Sequence, residues 1–121
     1  MTVEGQKFYP GETATAEQIN VLANEYQRAA DLLLKSGRSG APLSRAPFRM
    51  AAIHSIELYL NAFLLSAKHT PGKVRRLQHD LAARTELALS MKLPLRKRTV
   101  RHLQTLSQTR EFLITRYDPA A

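Results

Sequence analysis

Cysteine is absent from the 121 residues. That excludes a disulfide framework, a thiolate-held metal and every mechanism built on a cysteine nucleophile, and it fits a reducing cytoplasm. Long apolar runs are absent as well. Met1 to Pro10 carries Glu4 and Lys7 and contains no signal-peptide core, so secretion is not expected. The most apolar stretch, Ala51 to Leu65, is interrupted by His54, Glu57 and Asn61 and is too short to cross a bilayer; it reads as a core helix, with no membrane role. There is no glycine-rich phosphate loop and no Ser/His/Asp nucleophile arrangement. The histidines at 54, 69, 79 and 102 lack ligand spacing, so neither a metal nor a cofactor is expected.

Acidic residues are outnumbered in one half only. Residues 1–67 hold six Lys/Arg against six Asp/Glu, and residues 68–121 hold twelve against four, so the whole net charge of +8 belongs to the second half. A basic field concentrates polyanions and points to nucleic acid, a nucleotide or an acidic protein partner. The other reading of the same charge is a solvated, soluble surface.

The length suits a single domain with one core. Residues 1–14, with Gly5, Pro10 and Gly11 and little periodicity, read as an amino-terminal arm, and 15–119 as the domain. Thr15 and Gln18 have the form of a capping box, after which Ile19, Leu22, Tyr26, Ala30 and Leu33 recur at three and four, predicting a first helix over 16–36. Gly37, Gly40 and Pro42 break it. Pro47 is tolerated only in a first turn, so a second helix starts near Ser44 or Arg45. Ile53, Ile56, Leu60, Phe63 and Leu64 mark one of its faces, and Ala52, Ser55, Tyr59 and Ala62 another. A helix this apolar must be surrounded, which makes it central. Its one polar stripe is His54, Glu57 and Asn61.

After a break at His69 to Gly72 and a basic turn, Lys73 to Arg76, Asp80 can cap a third helix over 80–92 with Leu81, Leu87 and Leu89, ending before Pro94. A fourth helix is predicted over 95–116, with Val100, Leu103, Leu106 and Leu113 on its core side. The expected fold is all-α, an up-and-down four-helix bundle.

Three fragments, in this order, resemble a known family: Ala52 to Ala62 (AIHSIELYLNA), Gln78-His79-Asp80-Leu81 and Thr115-Arg116-Tyr117-Asp118-Pro119. Together they are similar to the HEPN domain, whose members show a helix of the form A…iElylKA, a later HdL and a terminal RYp. The chain departs from that pattern at Asn61, where the family has lysine. The resemblance implies a four-helix bundle, frequently a homodimer. It also implies nucleotide binding, pairing with a nucleotidyltransferase in toxin-antitoxin systems, or metal-independent RNase activity. The RNase branch carries an arginine and a histidine four to six residues apart at the start of the last long helix. Arg96 and His102, with five residues between them, lie there, although Lys97 departs from the small polar residue that usually follows the arginine.

Each candidate also has a structural reading. His102 with Arg96 or Arg98 can act on an RNA 2'-hydroxyl, since metal-free cleavage needs a proton carrier and a fixed cation; otherwise His102 is a surface histidine. Glu57, desolvated, needs a partner, and either an arginine of the fourth helix or His79 supplies one and locks register; the alternative is a ligand role shared with Asn61. His79, Arg75 and Arg76 meet at a turn where an anion can bind. Arg110, Arg116 and Tyr117 lie where cations complement a helix end. The favoured reading is a non-catalytic HEPN-like module that binds a nucleotide, nucleic acid or nucleotidyltransferase partner through its basic half. The alternatives are a dimeric RNase using Arg96 and His102, and a structural dimerisation module in which Tyr59 and the small residues of the second helix face another subunit.

Overall fold

A computed structural model describes residues 10–119, leaving out the side chain of Phe112. The elements are α1 (Ala16–Ser36), a 3-10 turn (Pro42–Arg45), α2 (Ala46–Ser66), α3 (Pro71–Arg76), α4 (Leu81–Ser90), α5 (Lys97–Gln108) and α6 (Glu111–Tyr117). The chain is all-α, with no strand among the described residues beyond an isolated bridge between Arg38 and Ala41. None of the described helices is long and apolar enough to cross a membrane. The predicted arm, and with it the signal-peptide reading of Met1 to Pro10, lies outside the described residues up to residue 9; Pro10 to Thr13 form a turn.

Local chemistry sets the helix limits. The Thr15 hydroxyl accepts from the Gln18 N–H at 3.1 Å and the Gln18 side chain accepts from the Thr15 N–H at 2.9 Å, the reciprocal box that starts α1. Asp80 accepts from the Ala83 N–H at 2.9 Å and starts α4. Thr70 does the same for α3 through the Lys73 N–H at 3.1 Å, with Pro71 in the first turn, so the expected basic turn is in fact a short helix. At the carboxyl end of α2, Lys68 is left-handed (φ 75°) and the His69 N–H reaches back to the Leu64 carbonyl at 3.1 Å; α4 ends in the same way through Lys92 (φ 69°) and Leu93 to Ala88, also 3.1 Å. Each is a Schellman closure. In α4 it stops the helix at Ser90, ahead of the limit set by Pro94.

The predicted fourth helix is two helices. Arg110 is left-handed (φ 54°, ψ 43°), which ends α5 and turns α6 onto α2. Leu103 is buried and Val100 and Leu106 are half-buried, but Leu113, beyond the break, is 38% exposed, because the periodicity of α5 does not carry through the turn.

Helix α2 is the hub, contacting α1, α3, α4, α6 and the 3-10 turn. Ile53, Leu60 and Leu64 of α2 form the core with Val74, Leu81 and Ala88. Leu64 has no exposed surface, so truncating it to alanine is expected to cost about 3 kcal/mol. Ala23 and Ala30 let α1 approach closely, and the Ser55 hydroxyl donates to the Ala23 carbonyl at 3.0 Å. The Tyr59 hydroxyl is bonded to Asn24 and Gln27 of α1. On the face of α2 read as a possible subunit contact, Ser55 is thus taken up by α1, while Ala52 and Tyr59 stay half-buried.

Candidate functional site

The polar stripe of α2 lies along a groove of about 710 Å³. Ile19 and Leu22 of α1 and Leu58 and Leu65 of α2 supply apolar wall, and Val74, Arg75, Gln78, His79 and Arg84 close the other side. The size falls in the range of small-ligand sites. Four of the ligand-site candidates read from the sequence, Glu57, Asn61, Arg75 and His79, meet here.

Glu57 is buried and does not stand alone. Its Oε1 lies 3.1 Å from the Nδ1 of His79, its Oε2 lies 3.3 Å from the same nitrogen, and Oε1 lies 3.4 Å from Arg84 Nη2. Of the two partners expected, His79 is correct; the arginine comes from α4 and not from the last helix. Arg84 is almost wholly inside, with 3% of its side chain exposed, and it donates through Nε to the Asn61 side-chain oxygen at 2.7 Å and through Nη1 to the Leu77 carbonyl at 3.5 Å. Burial pushes the Arg84 guanidinium below the usual arginine range, while Glu57 and Asp80 act in the opposite direction. A buried charge is tolerated only with this kind of multiple pairing. The network ties α2 to α4, and Asn61 takes part through its amide oxygen, which receives the guanidinium where a lysine would oppose it.

His54 occupies the other end of the stripe. Its ring meets that of Tyr26 edge-on, with centroids 4.4 Å apart, and its Nδ1 is buried without a hydrogen-bond partner. Burial holds its pKa below the ordinary 6.5; Glu57 opposes that, and Arg116 and His79 add to it. The ring is thus neutral near pH 7.

The remaining candidates lie elsewhere. Arg75 borders the groove and pairs with Glu12 at 3.6 Å. Arg76 is exposed on α3, outside the groove lining; Arg110 is exposed at the turn between α5 and α6; Arg116 and Tyr117 are exposed on α6, Tyr117 by 74%. Arg96 is the residue before α5, where it offers no side-chain cap, and His102 is exposed on the helix. Arg96 thus precedes the helix with extended backbone (φ -69°, ψ 147°), whereas Arg98 and His102, four apart within α5, share a side.

Alongside them, Lys97, Arg98 and Arg101 are exposed and form no ion pair among the described residues. The first turn of α5 contains no acidic residue. Cations there oppose the helix dipole, so this arrangement carries a local cost in the free chain.

No family model, curated protein or solved structure matches this chain. Among the described residues no three His, Asp or Glu side chains are grouped so as to hold a metal ion. Arg84 is the member of the network that the sequence reading does not reach, since Leu81, Leu87 and Leu89 suggest a different inner face for the third helix. The signal is nonetheless present: Leu81, Arg84, Thr85 and Ala88 recur at three, four and seven, and all are buried, whereas Leu89 is 36% exposed.

Proposed function

We propose that this chain is a non-catalytic, cytoplasmic HEPN-like module, an up-and-down four-helix bundle whose last helix is divided into α5 and α6, and that it binds nucleic acid or a nucleotide through its basic second half. The observation that carries the reading is the exposed start of α5. Arg96, Lys97, Arg98 and Arg101 fall within six residues, unpaired by any described carboxylate and set against the helix dipole. A phosphate backbone laid there removes the mutual repulsion and releases counterions, and that release drives most sequence-independent binding of nucleic acid. A nucleotidyltransferase with an acidic face is the protein partner that the same charge would suit.

The test is fluorescence anisotropy with a labelled single-stranded RNA of about ten nucleotides across a salt series. Binding that weakens linearly in log–log form supports the reading; absence of salt-dependent association at low ionic strength ends it. Exposure of Arg96, Arg98 and His102 also favours a second reading, a homodimeric RNase whose two α5 helices meet. Purified protein that cleaves RNA, and loses that cleavage in His102→Ala, supports it; equal cleavage by the variant eliminates it.

A further inference from the structure

The connection between α1 and α2 lies in the half of the chain with no net charge, yet it gathers arginines. Arg38, Arg45 and Arg49 line a cleft of about 400 Å³ together with Phe48 and the Gly40 to Pro42 turn, and no acidic side chain among the described residues contributes to the lining. Their sequence separation hides the cluster; the loop creates it. Gly40 is left-handed (φ 73°), and the Ser44 hydroxyl accepts from the Arg38 N–H at 2.8 Å and donates to the Ala41 carbonyl at 2.6 Å. The loop is therefore held by its own hydrogen bonds, and Arg38 enters them only through its backbone.

Two further observations mark a site and not merely a charged surface. A Cβ on Gly37 would stand 3.1 Å from the Arg45 Cγ, so the Arg45 stem is laid directly across the glycine backbone. Arg49 has a half-buried side chain whose Nε is buried without a hydrogen-bond partner, and its ion pair with Glu111 of α6 is long at 3.7 Å. Three arginines lining one cleft carry like charge, and apart from the long Arg49–Glu111 contact their guanidiniums have no carboxylate partner among the described residues. A tetrahedral oxyanion satisfies both conditions, because guanidinium groups match phosphate oxygens in pairs.

We propose that this cleft binds a phosphate group, with Arg38, Arg45 and Arg49 as its donors and Phe48 as the apolar surface for whatever carries the phosphate. The site goes beyond the α5 surface proposed above: it uses other residues, and either can fail while the other stands. The phosphate can come from a small phosphomonoester or from a nucleic-acid strand, and the experiment separates the two.

Isothermal titration is run on the full chain with inorganic phosphate, with adenosine monophosphate and with an RNA octamer lacking terminal phosphates. The same titrations are run on the double variant Arg38→Gln/Arg45→Gln. Both side chains are exposed, so the fold is expected to survive, which thermal melts check. Affinity for at least one probe is expected to fall by about tenfold or more. Arg28→Gln, an exposed loss of one positive charge (half that of the double variant) on α1 outside the cleft, is expected to change affinity by less than about twofold. Loss in the phosphate and monophosphate titrations assigns a small phosphomonoester; loss confined to the octamer assigns a strand. Absence of binding by all three probes, or equal loss in Arg28→Gln, overturns the proposal.

Discussion

Arg84 on α4 donates to the side-chain oxygen of Asn61 on α2 at 2.7 Å, so the amide at 61 is a fixed acceptor for a buried cation. A lysine at this position would supply a second cation where the guanidinium needs an acceptor. Asn61→Lys is expected to destabilise the chain by about 2 kcal/mol, the scale of a lost hydrogen bond to a charged group. Urea denaturation at neutral pH measures it. A variant as stable as the parent would show that Arg84 finds another acceptor.

The carboxylate in the same network carries more weight. With 8% of the Glu57 side chain exposed and 3% of Arg84, solvent screens the pair little. Glu57→Gln leaves Arg84 buried without its counter-charge, and a loss of about 3 to 5 kcal/mol is expected. Arg84→Met, which removes the cation but keeps the volume, should cost less when combined with Glu57→Gln than the two single changes added together. Strict additivity in that double-mutant cycle would mean that the two groups do not interact.

His54 gives the fold a dependence on acid. Its pKa is lowered by burial from 6.5, with Arg116 and His79 contributing in the same direction and Glu57 against it. Below 6.5 the unfolded chain therefore binds more protons than the folded one. The stabilisation is complete above that value and is lost as the pH falls through the window down to the lowered folded value. The denaturation midpoint is expected to drop as the pH falls below 6.5, and to drop less in His54→Gln. An identical pH profile for both proteins would remove His54 as the cause.

How far the fold is legible in the sequence follows the range of each signal. Thr15 with Gln18, Asp80 before Leu81, and the apolar circumference of α2 act within a few residues or along one helix, and they mark helix starts and the hub. The break at Arg110 is not legible, because a left-handed turn is normally announced by glycine or asparagine and here an arginine adopts it. In the site, the stripe His54, Glu57 and Asn61 follows from spacing alone, and His79 is among the partners that Glu57 predicts. Arg84 escapes because a buried arginine on a helix reads as surface until its carboxylate is known. Arg38, Arg45 and Arg49 come together only through a loop closed by Ser44, which no periodicity records.

Arg110 gives a direct test of that break. Holding a residue with a Cβ in the left-handed region costs about 1 to 2 kcal/mol. Glycine removes this cost but adds freedom to the unfolded chain, so Arg110→Gly is expected to stabilise by only about 0.5 kcal/mol. Arg110→Val, which resists positive φ most strongly, should destabilise by about 1 kcal/mol or more. Thermal melts of the three proteins measure the order. If valine matches arginine, α5 and α6 are one continuous helix in solution.

The start of α5 sets stability against binding, and one substitution reads both. Lys97 lies in the first turn, where a negative charge complements the helix dipole and a positive one opposes it. Lys97→Glu is therefore expected to raise stability by about 0.5 kcal/mol. The same change places a carboxylate among Arg96, Arg98 and Arg101, so RNA affinity should fall. In Arg98→Gln/Arg101→Gln, which withdraws two phosphate contacts, the log–log salt slope should flatten by about 1.4 for a single strand. A surface that exists only for solubility makes a different forecast: Lys97→Glu would still stabilise, but any RNA association would keep its affinity and slope. Opposite movement of stability and affinity in a single variant is thus the outcome that a merely solvated basic face does not produce.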